Sequence, residues 1–147
     1  MTVYKLSKVF CFCIAALSLV WANFTYSAES DMHQVVIQVS TDDKRTQRIA
    51  INNAVNLQKH YGMDEIDIEI VAYGPGLTML TGKDKQAKRI SSLVKQNIRF
   101  SACANTMQGM QRKTGKQPVL VEGVKVVPAG VSRIIELQKK GYAYIRP

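Results

Sequence analysis

Cys103 is the residue from which chemistry can be argued, because two of the three cysteines, Cys11 and Cys13, lie inside an N-terminal apolar segment that reads as a secretion signal. After removal of that segment Cys103 is the lone thiol, and it cannot form an intrachain disulfide. It must be a small buried residue, a link between chains, or a reactive sulfur. Its surroundings, Ile98-Arg99-Phe100-Ser101-Ala102-Cys103-Ala104-Asn105-Thr106-Met107, favour the third. The cysteine ends a strand-like run and opens a helix-like one, where free backbone N–H groups and the helix dipole favour a thiolate. Arg99 and Arg112 are further sources of positive charge.

Other cysteine chemistries find little support. Without a CxxC pair there is no self-contained dithiol cycle, so a partner sulfur has to come from another molecule. A Cys–His hydrolase needs a base within hydrogen-bond reach. His33 begins a strand at the opposite edge of the sheet from Cys103, and His60 ends a helix, where a cation suits the last carbonyls. No His/Cys/Asp/Glu cluster has metal-ligand spacing, and no cofactor motif is present: neither GxGxxG nor GxxxxGK[ST] occurs. Met107 and Met110, three apart on a helix, read as core or subunit-contact residues. The Asp42/Asp43 pair reads as helix capping rather than acid–base chemistry.

The N-terminal 28 residues have the parts of a signal peptide: Lys5 and Lys8, an apolar stretch from Val9 to Ala22 of roughly 14 residues, and a polar tail. An uncleaved anchor is the alternative, but the apolar run is too short for a comfortable span. Cleavage after Ser27 or after Ala22 is compatible with the small residues present. The expectation is a signal peptide over 1–28, a domain over 29–147, release into a periplasm or the medium, and no stable membrane insertion afterwards. Cleavage removes two of the 20 basic residues and none of the 11 acidic ones, so the mature chain stays basic. The basic groups are spread over several helical stretches without interleaved aromatics, which disfavours nucleic-acid binding.

About 120 residues make one domain with one core. His33–Ser40, Ile66–Tyr73 and Ile98–Ala102 read as strands, followed by Val119–Val121 and Val124–Val127 around Glu122-Gly123, and by Tyr142–Ile145. In Ile66–Tyr73 the alternation of isoleucine with Asp67 and Glu69 predicts one wet face at the start of the strand. Helices are expected over Asp43–Tyr61 (Ala50, Ile51, Ala54, Leu57 and Tyr61 inward), Asp84–Asn97, Ala104–Arg112 and from Val131 to Gly141. Leu77–Leu80 reads as an apolar loop or short helical turn after the Gly74-Pro75-Gly76 turn. This order predicts an α/β fold: a single three-layer domain of about five mostly parallel strands with helices on both faces. In such sheets ligands bind beyond the carboxyl ends of the strands. Three segments should meet there: Ser40–Asp43, Tyr73–Gly76 and Cys103–Thr106.

The Cys103 segment, together with Val126-Val127-Pro128-Ala129-Gly130-Val131 and Leu137-Gln138-Lys139-Lys140-Gly141-Tyr142-Ala143-Tyr144-Ile145, resembles the DsrE/DsrF-like family, and the signal peptide points to an exported branch of it. The resemblance covers essentially all of the mature chain. It implies a small α/β sandwich that forms homo-oligomers or hetero-oligomers, often trimers or hexamers. It also implies that Cys103, after the third strand, corresponds to a sulfur-carrying cysteine that passes a persulfide between a donor and an acceptor protein or small thiol. Ala104, Asn105 and Thr106 would then hold the sulfur anion, with the backbone at Gly74 and Gly76 facing the same site. The competing reading is a non-catalytic binding or assembly module, with Cys103 buried and Met107, Met110 and Leu77–Leu80 as subunit contacts.

Overall fold

The computed structural model describes residues 32–147; the expected signal peptide lies outside the described residues. Five strands form one sheet in the order β4-β3-β2-β1-β5, and every strand pair is parallel. The strands are β1 (His33–Val39), β2 (Ile66–Ala72), β3 (Ile98–Cys103), β4 (Lys125–Val127) and β5 (Ala143–Ile145). Between them run α1 (Lys44–Tyr61), a 3-10 helix (Gly74–Leu80), α2 (Ala87–Val94), α3 (Ala104–Thr114) and α4 (Gly130–Lys139). No helix among the described residues is long and apolar enough to cross a membrane.

The strand order explains where the helices go. From β1 to β4 each strand is laid down beside its predecessor in one direction, and a right-handed crossover then puts each connection on the same face. From β4 the chain must return past three strands to reach the far side of β1. The reversal sends α4 across the opposite face, over β3, β2 and β1.

The two faces are built differently. On the first, Val35, Ile37 and Val39 of β1, the isoleucines of β2, and Ile98 and Phe100 of β3 pack against Ala50, Ile51 and Ala54 of α1, Leu77, Met79 and Leu80 of the 3-10 helix, and Ile90 and Leu93 of α2. Each of the larger of these side chains, the alanines apart, contributes about 1.5–3 kcal/mol when fully buried relative to exposure. On the α4 face the apolar contact is thin: Val36, Val71, Ile134, Leu137 and Tyr142, with Tyr73 packed alongside.

Several expectations need correction. The Glu69 face of β2 is not wet: Glu69 is 1 % exposed, because α4 covers it and supplies Arg133. Asp67, nearer the start of the strand, is partly exposed, accepting from Arg99 and Tyr142. Tyr61 is exposed, stacked on His33 at a centroid distance of 3.9 Å. The second helix begins three residues later than its polarity suggests, because Asp84 binds Lys44 at 2.6 Å and accepts from the Gln86 N–H at 2.8 Å. It ends earlier because the chain turns at Asn97, with φ 66°. Val119–Val121 makes only an isolated antiparallel bridge, Leu120 to Thr81. Leu77, Leu80 and Met107 are buried within the domain and Met110 is partly so, which leaves them little surface for subunit contact. The Asp43 expectation holds: its carboxylate caps α1, accepting from the Thr46 N–H and hydroxyl, both at 2.7 Å.

Candidate functional site

Cys103 closes β3, and its backbone caps α3. The connection after β3 goes to α3 on one face, whereas the connection after β4 goes to α4 on the other. The carboxyl ends of β3 and β4 therefore flank a topological switch point, the place where open parallel sheets form a crevice. Cys103 stands opposite Val127 in the ladder at that point. The first turns of two helices approach it from opposite faces.

Gly130, the first residue of α4, is the close neighbour. A Cβ built there would lie 3.0 Å from Tyr73 Cβ, 3.1 Å from Tyr73 Cδ1 and 3.3 Å from Cys103 Cβ. A side chain at this position would force Tyr73 or Cys103 to give by a few tenths of an ångström, so glycine suits the close approach of α4 to both residues. On the other side, the Gly74 N–H donates to Thr106 Oγ1 at 2.9 Å. With one lone pair so engaged, the Thr106 hydroxyl proton is free to turn elsewhere, and Cys103 lies one helical turn before it.

Cys103 is 5 % exposed. Burial pushes its pKa up, but the Thr106 hydroxyl and the N–H groups of Gly130, Thr106 and Asn105 outweigh burial, and the thiol titrates below its ordinary value. The side chain makes no capping hydrogen bond to α3 of ordinary geometry. The donors thus act together as a surround that favours the charged sulfur. The main influences are hydrogen-bonding groups, not the cations considered from sequence. Arg99 is engaged with Asp67 at 2.9 Å and Glu69 at 3.3 Å, and Arg112 lies in the last turn of α3.

The structure thus brings Cys103, Asn105, Thr106 and Gly74 together. Ala104 starts α3 beside the thiol and is half-buried. Gly76 has a different surrounding: it is buried, and a Cβ there would sit 2.3 Å from the carbonyl oxygen of Val39. Ser40–Asp43 follows β1 beside the Gly74 turn, with Ser40 O 3.8 Å from a Cβ at Gly74. His33 stands at the amino end of β1, away from the carboxyl edge that carries Cys103.

Sequence reasoning placed the Tyr73–Gly76 segment at this edge but missed Gly130 as a site residue. It also missed a buried polar cluster beneath α4. Arg133 grips Glu69 with Nε and Nη2, both at 2.8 Å, and Ser101 Oγ donates to Glu69 Oε1 at 2.7 Å. Burial raises the Glu69 pKa, but Arg133, Ser101 and Arg99 together hold it below the usual value, so the carboxylate stays charged. The one signal in the sequence was that Glu69, unlike Asp67, lies in the middle of β2, next to the continuously apolar Ile70-Val71-Ala72.

Surface cavities lie elsewhere: about 390 Å³ beside Asn97 and Arg99, about 610 Å³ beside Met110 and Val119, about 730 Å³ among Lys44, Arg48 and Lys83, and about 260 Å³ beside Asn53 and Ile145. Cys103 lines none of them. No group of three or more His, Cys, Asp or Glu able to hold a metal ion occurs among the described residues.

Comparison with known proteins agrees with the geometry. A protein of unknown function from Methanobacterium thermoautotrophicum has a similar structure, with a TM-score of 0.71 and 35 % sequence identity over 78 % of this chain and 99 % of that one. The ychN protein from E. coli, 14 % identical over 79 % of this chain and 100 % of that one, shares the fold with a TM-score of 0.64. No curated protein matches the chain. The model of the DsrE/DsrF-like family matches residues 33–147. The five-stranded domain with Cys103 at its switch point belongs to the DsrE/DsrF-like family.

Proposed function

We propose that this chain is an exported sulfur carrier that holds sulfane sulfur as a persulfide on Cys103. The observation that carries the reading is the placing of one thiol at the switch point between two helix starts, with Gly130 packed against it and Thr106 fixed by Gly74 one turn on. The donors there favour the thiolate. A thiolate is the form that attacks sulfur. With thiosulfate as donor, the Cys103 thiolate attacks the outer sulfur, a new S–S bond forms, the S–SO₃ bond breaks, and sulfite leaves with the bonding electrons. An acceptor thiolate then attacks the outer sulfur of Cys103–S–S⁻, becoming the persulfide and releasing Cys103 as thiolate. The exchange needs neither an external oxidant nor a metal.

The donor and acceptor would be a protein or a small thiol. The near-complete burial of Cys103 supports a cargo of one sulfur atom better than a bulky substrate. Self-association as a trimer or hexamer belongs to the same proposal, supported by the exposed apolar residues Val131 and Ile135 on α4 and Val126 on β4. Release into the periplasm or the medium is proposed from the N-terminal sequence pattern.

Incubating the protein with thiosulfate or polysulfide and reading the mass of the Cys103 peptide tests the proposal. The expected result is a gain of one sulfur at Cys103 that a reducing agent removes and that the Cys103→Ser chain lacks. Absence of any adduct in the wild-type chain refutes it.

A second reading is favoured by the same burial: a non-catalytic oligomeric module in which Cys103 is a packing residue of the larger core. Labelling of Cys103 only after unfolding would decide for it.

A further inference from the structure

The surround of Cys103 is assembled from elements that reach it from opposite faces of the sheet. β3 carries the sulfur, and α4 carries the Gly130 N–H, on a residue so close that a Cβ there would lie 3.3 Å from Cys103 Cβ. Little apolar contact holds α4, a ten-residue helix, on its face. Hydrophobic contact is non-directional, so it fixes the depth of a helix better than its position along the sheet. A hydrogen bond to sulfur, by contrast, weakens steeply with misalignment. Something must hold the start of α4 in place.

One buried carboxylate contacts both elements. Glu69 accepts from Ser101, which precedes Cys103 by two residues and shares its face of β3. It also accepts both Arg133 bonds at 2.8 Å, and Arg133 closes the first turn of α4 through its N–H to Ala129 O at 3.0 Å. A bidentate guanidinium–carboxylate pair fixes angle as well as distance. We infer that Glu69 is a positioning residue for Cys103: by clasping Ser101 and Arg133 it locks the start of α4 against the end of β3 and keeps the Gly130 N–H aimed at the sulfur.

The inference rests on reading Cys103 as a thiolate nucleophile, and its test separates it from the sulfur chemistry. Charge and position predict opposite outcomes for Glu69→Gln. Glu69 faces two cations: Arg133, which also reaches Glu136 at 3.5 Å, and Arg99, 3.3 Å from Glu69 and paired with Asp67. Acting through charge alone, loss of the Glu69 carboxylate leaves both less compensated and makes a nearby thiol more acidic. Loss of position takes a donor from the thiolate and makes the thiol less acidic. Arg133→Lys keeps the charge and loses the two-pronged grip, so charge alone predicts no change.

The experiment is the pH profile of Cys103 alkylation by iodoacetamide on the native full chain, read at the Cys103 peptide by mass spectrometry, for wild type, Glu69→Gln and Arg133→Lys. Both variants are expected to move the profile to higher pH. The rate at pH 7 should fall about three- to tenfold, the scale of weakening one hydrogen bond to a charged group, and the high-pH plateau should not change. A profile that stays put or moves to lower pH overturns the inference, even if the melting temperature drops, because a merely structural brace would do only that. A wild-type thiol with an ordinary profile overturns it too. Should Glu69→Gln fail to fold, Arg133→Lys decides. A wild type that takes up sulfur while the variants keep its profile leaves sulfur carriage standing without the clasp. Shifted profiles in a chain that takes up no sulfur leave the clasp standing without sulfur carriage.

Discussion

Replacing Thr106 with valine keeps the shape of the side chain and removes one hydroxyl. In the native structure that hydroxyl accepts from the Gly74 N–H at 2.9 Å and is the foremost of the groups holding the Cys103 thiol below its ordinary pKa. Thr106→Val therefore has two separable costs. One is the unpaired Gly74 N–H, worth about 0.5–1.5 kcal/mol at any pH. The other exists only when the sulfur is charged: a hydrogen bond to a charged group is worth about 1.5–3 kcal/mol. We take the low end, because the Gly130, Thr106 and Asn105 N–H groups remain. That corresponds to about a tenfold smaller thiolate fraction at neutral pH, and about a tenfold slower alkylation of Cys103.

The pH dependence follows from the direction of the shift. The folded thiol loses its proton at lower pH than the unfolded one. Wild-type stability therefore rises with pH from the folded pKa up to the ordinary thiol value, about 8.5, and is level above it. The stabilisation is lost as pH falls through the folded pKa. Urea unfolding of wild type and Thr106→Val at pH 5 and pH 9 should give a larger difference at pH 9, and Thr106→Ser should restore most of it. Equal differences at both pH values, with an unaltered alkylation rate, would refute the argument that this hydroxyl acts on the sulfur.

Two further outcomes are expected. Gly76→Ala pushes a methyl to 2.3 Å from the Val39 carbonyl oxygen, a backbone atom that cannot step aside; thermal unfolding should show a loss of about 3 kcal/mol or more, and a loss under 1 kcal/mol would contradict the packing described. Replacing the exposed Val131 and Ile135 with glutamate should leave the domain folded and shift sedimentation towards monomer, whereas an unchanged assembly would exclude this face as the site of self-association.

The position of Cys103 was legible from sequence because it depends on local pattern: a β-branched and aromatic run ending at Ala102 and a helical one starting at Ala104. The order of strands and helices was legible for the same reason. The environment of Glu69 was not. Alternation along β2 shows that Glu69 points away from its isoleucine neighbours, but what covers it is Arg133, 64 positions away, brought back by the reversal after β4. Gly130 was hidden in the same way: the tight fit around it comes from Tyr73 and Cys103, neither a chain neighbour. The second helix was overextended because Asp84 looks like a helix start, while the folded chain spends its carboxylate on Lys44.

The reversal after β4 also bears on when the thiol acquires its character. The pairings β1–β2 and β2–β3 close short stretches of chain, whereas β5 joins β1 with Val35 against Ala143, near opposite ends of the domain. Contacts of such long range form late, since loop-closure entropy must be met first. Gly130 and Arg133 belong to that last segment. A chain that has formed its first three strands but not docked its last helix has Asn105 and Thr106 beside the thiol but lacks the Gly130 donor. The full set of donors around Cys103 is in place only when the domain is complete, so the pH at which this thiol titrates is itself a report of finished folding.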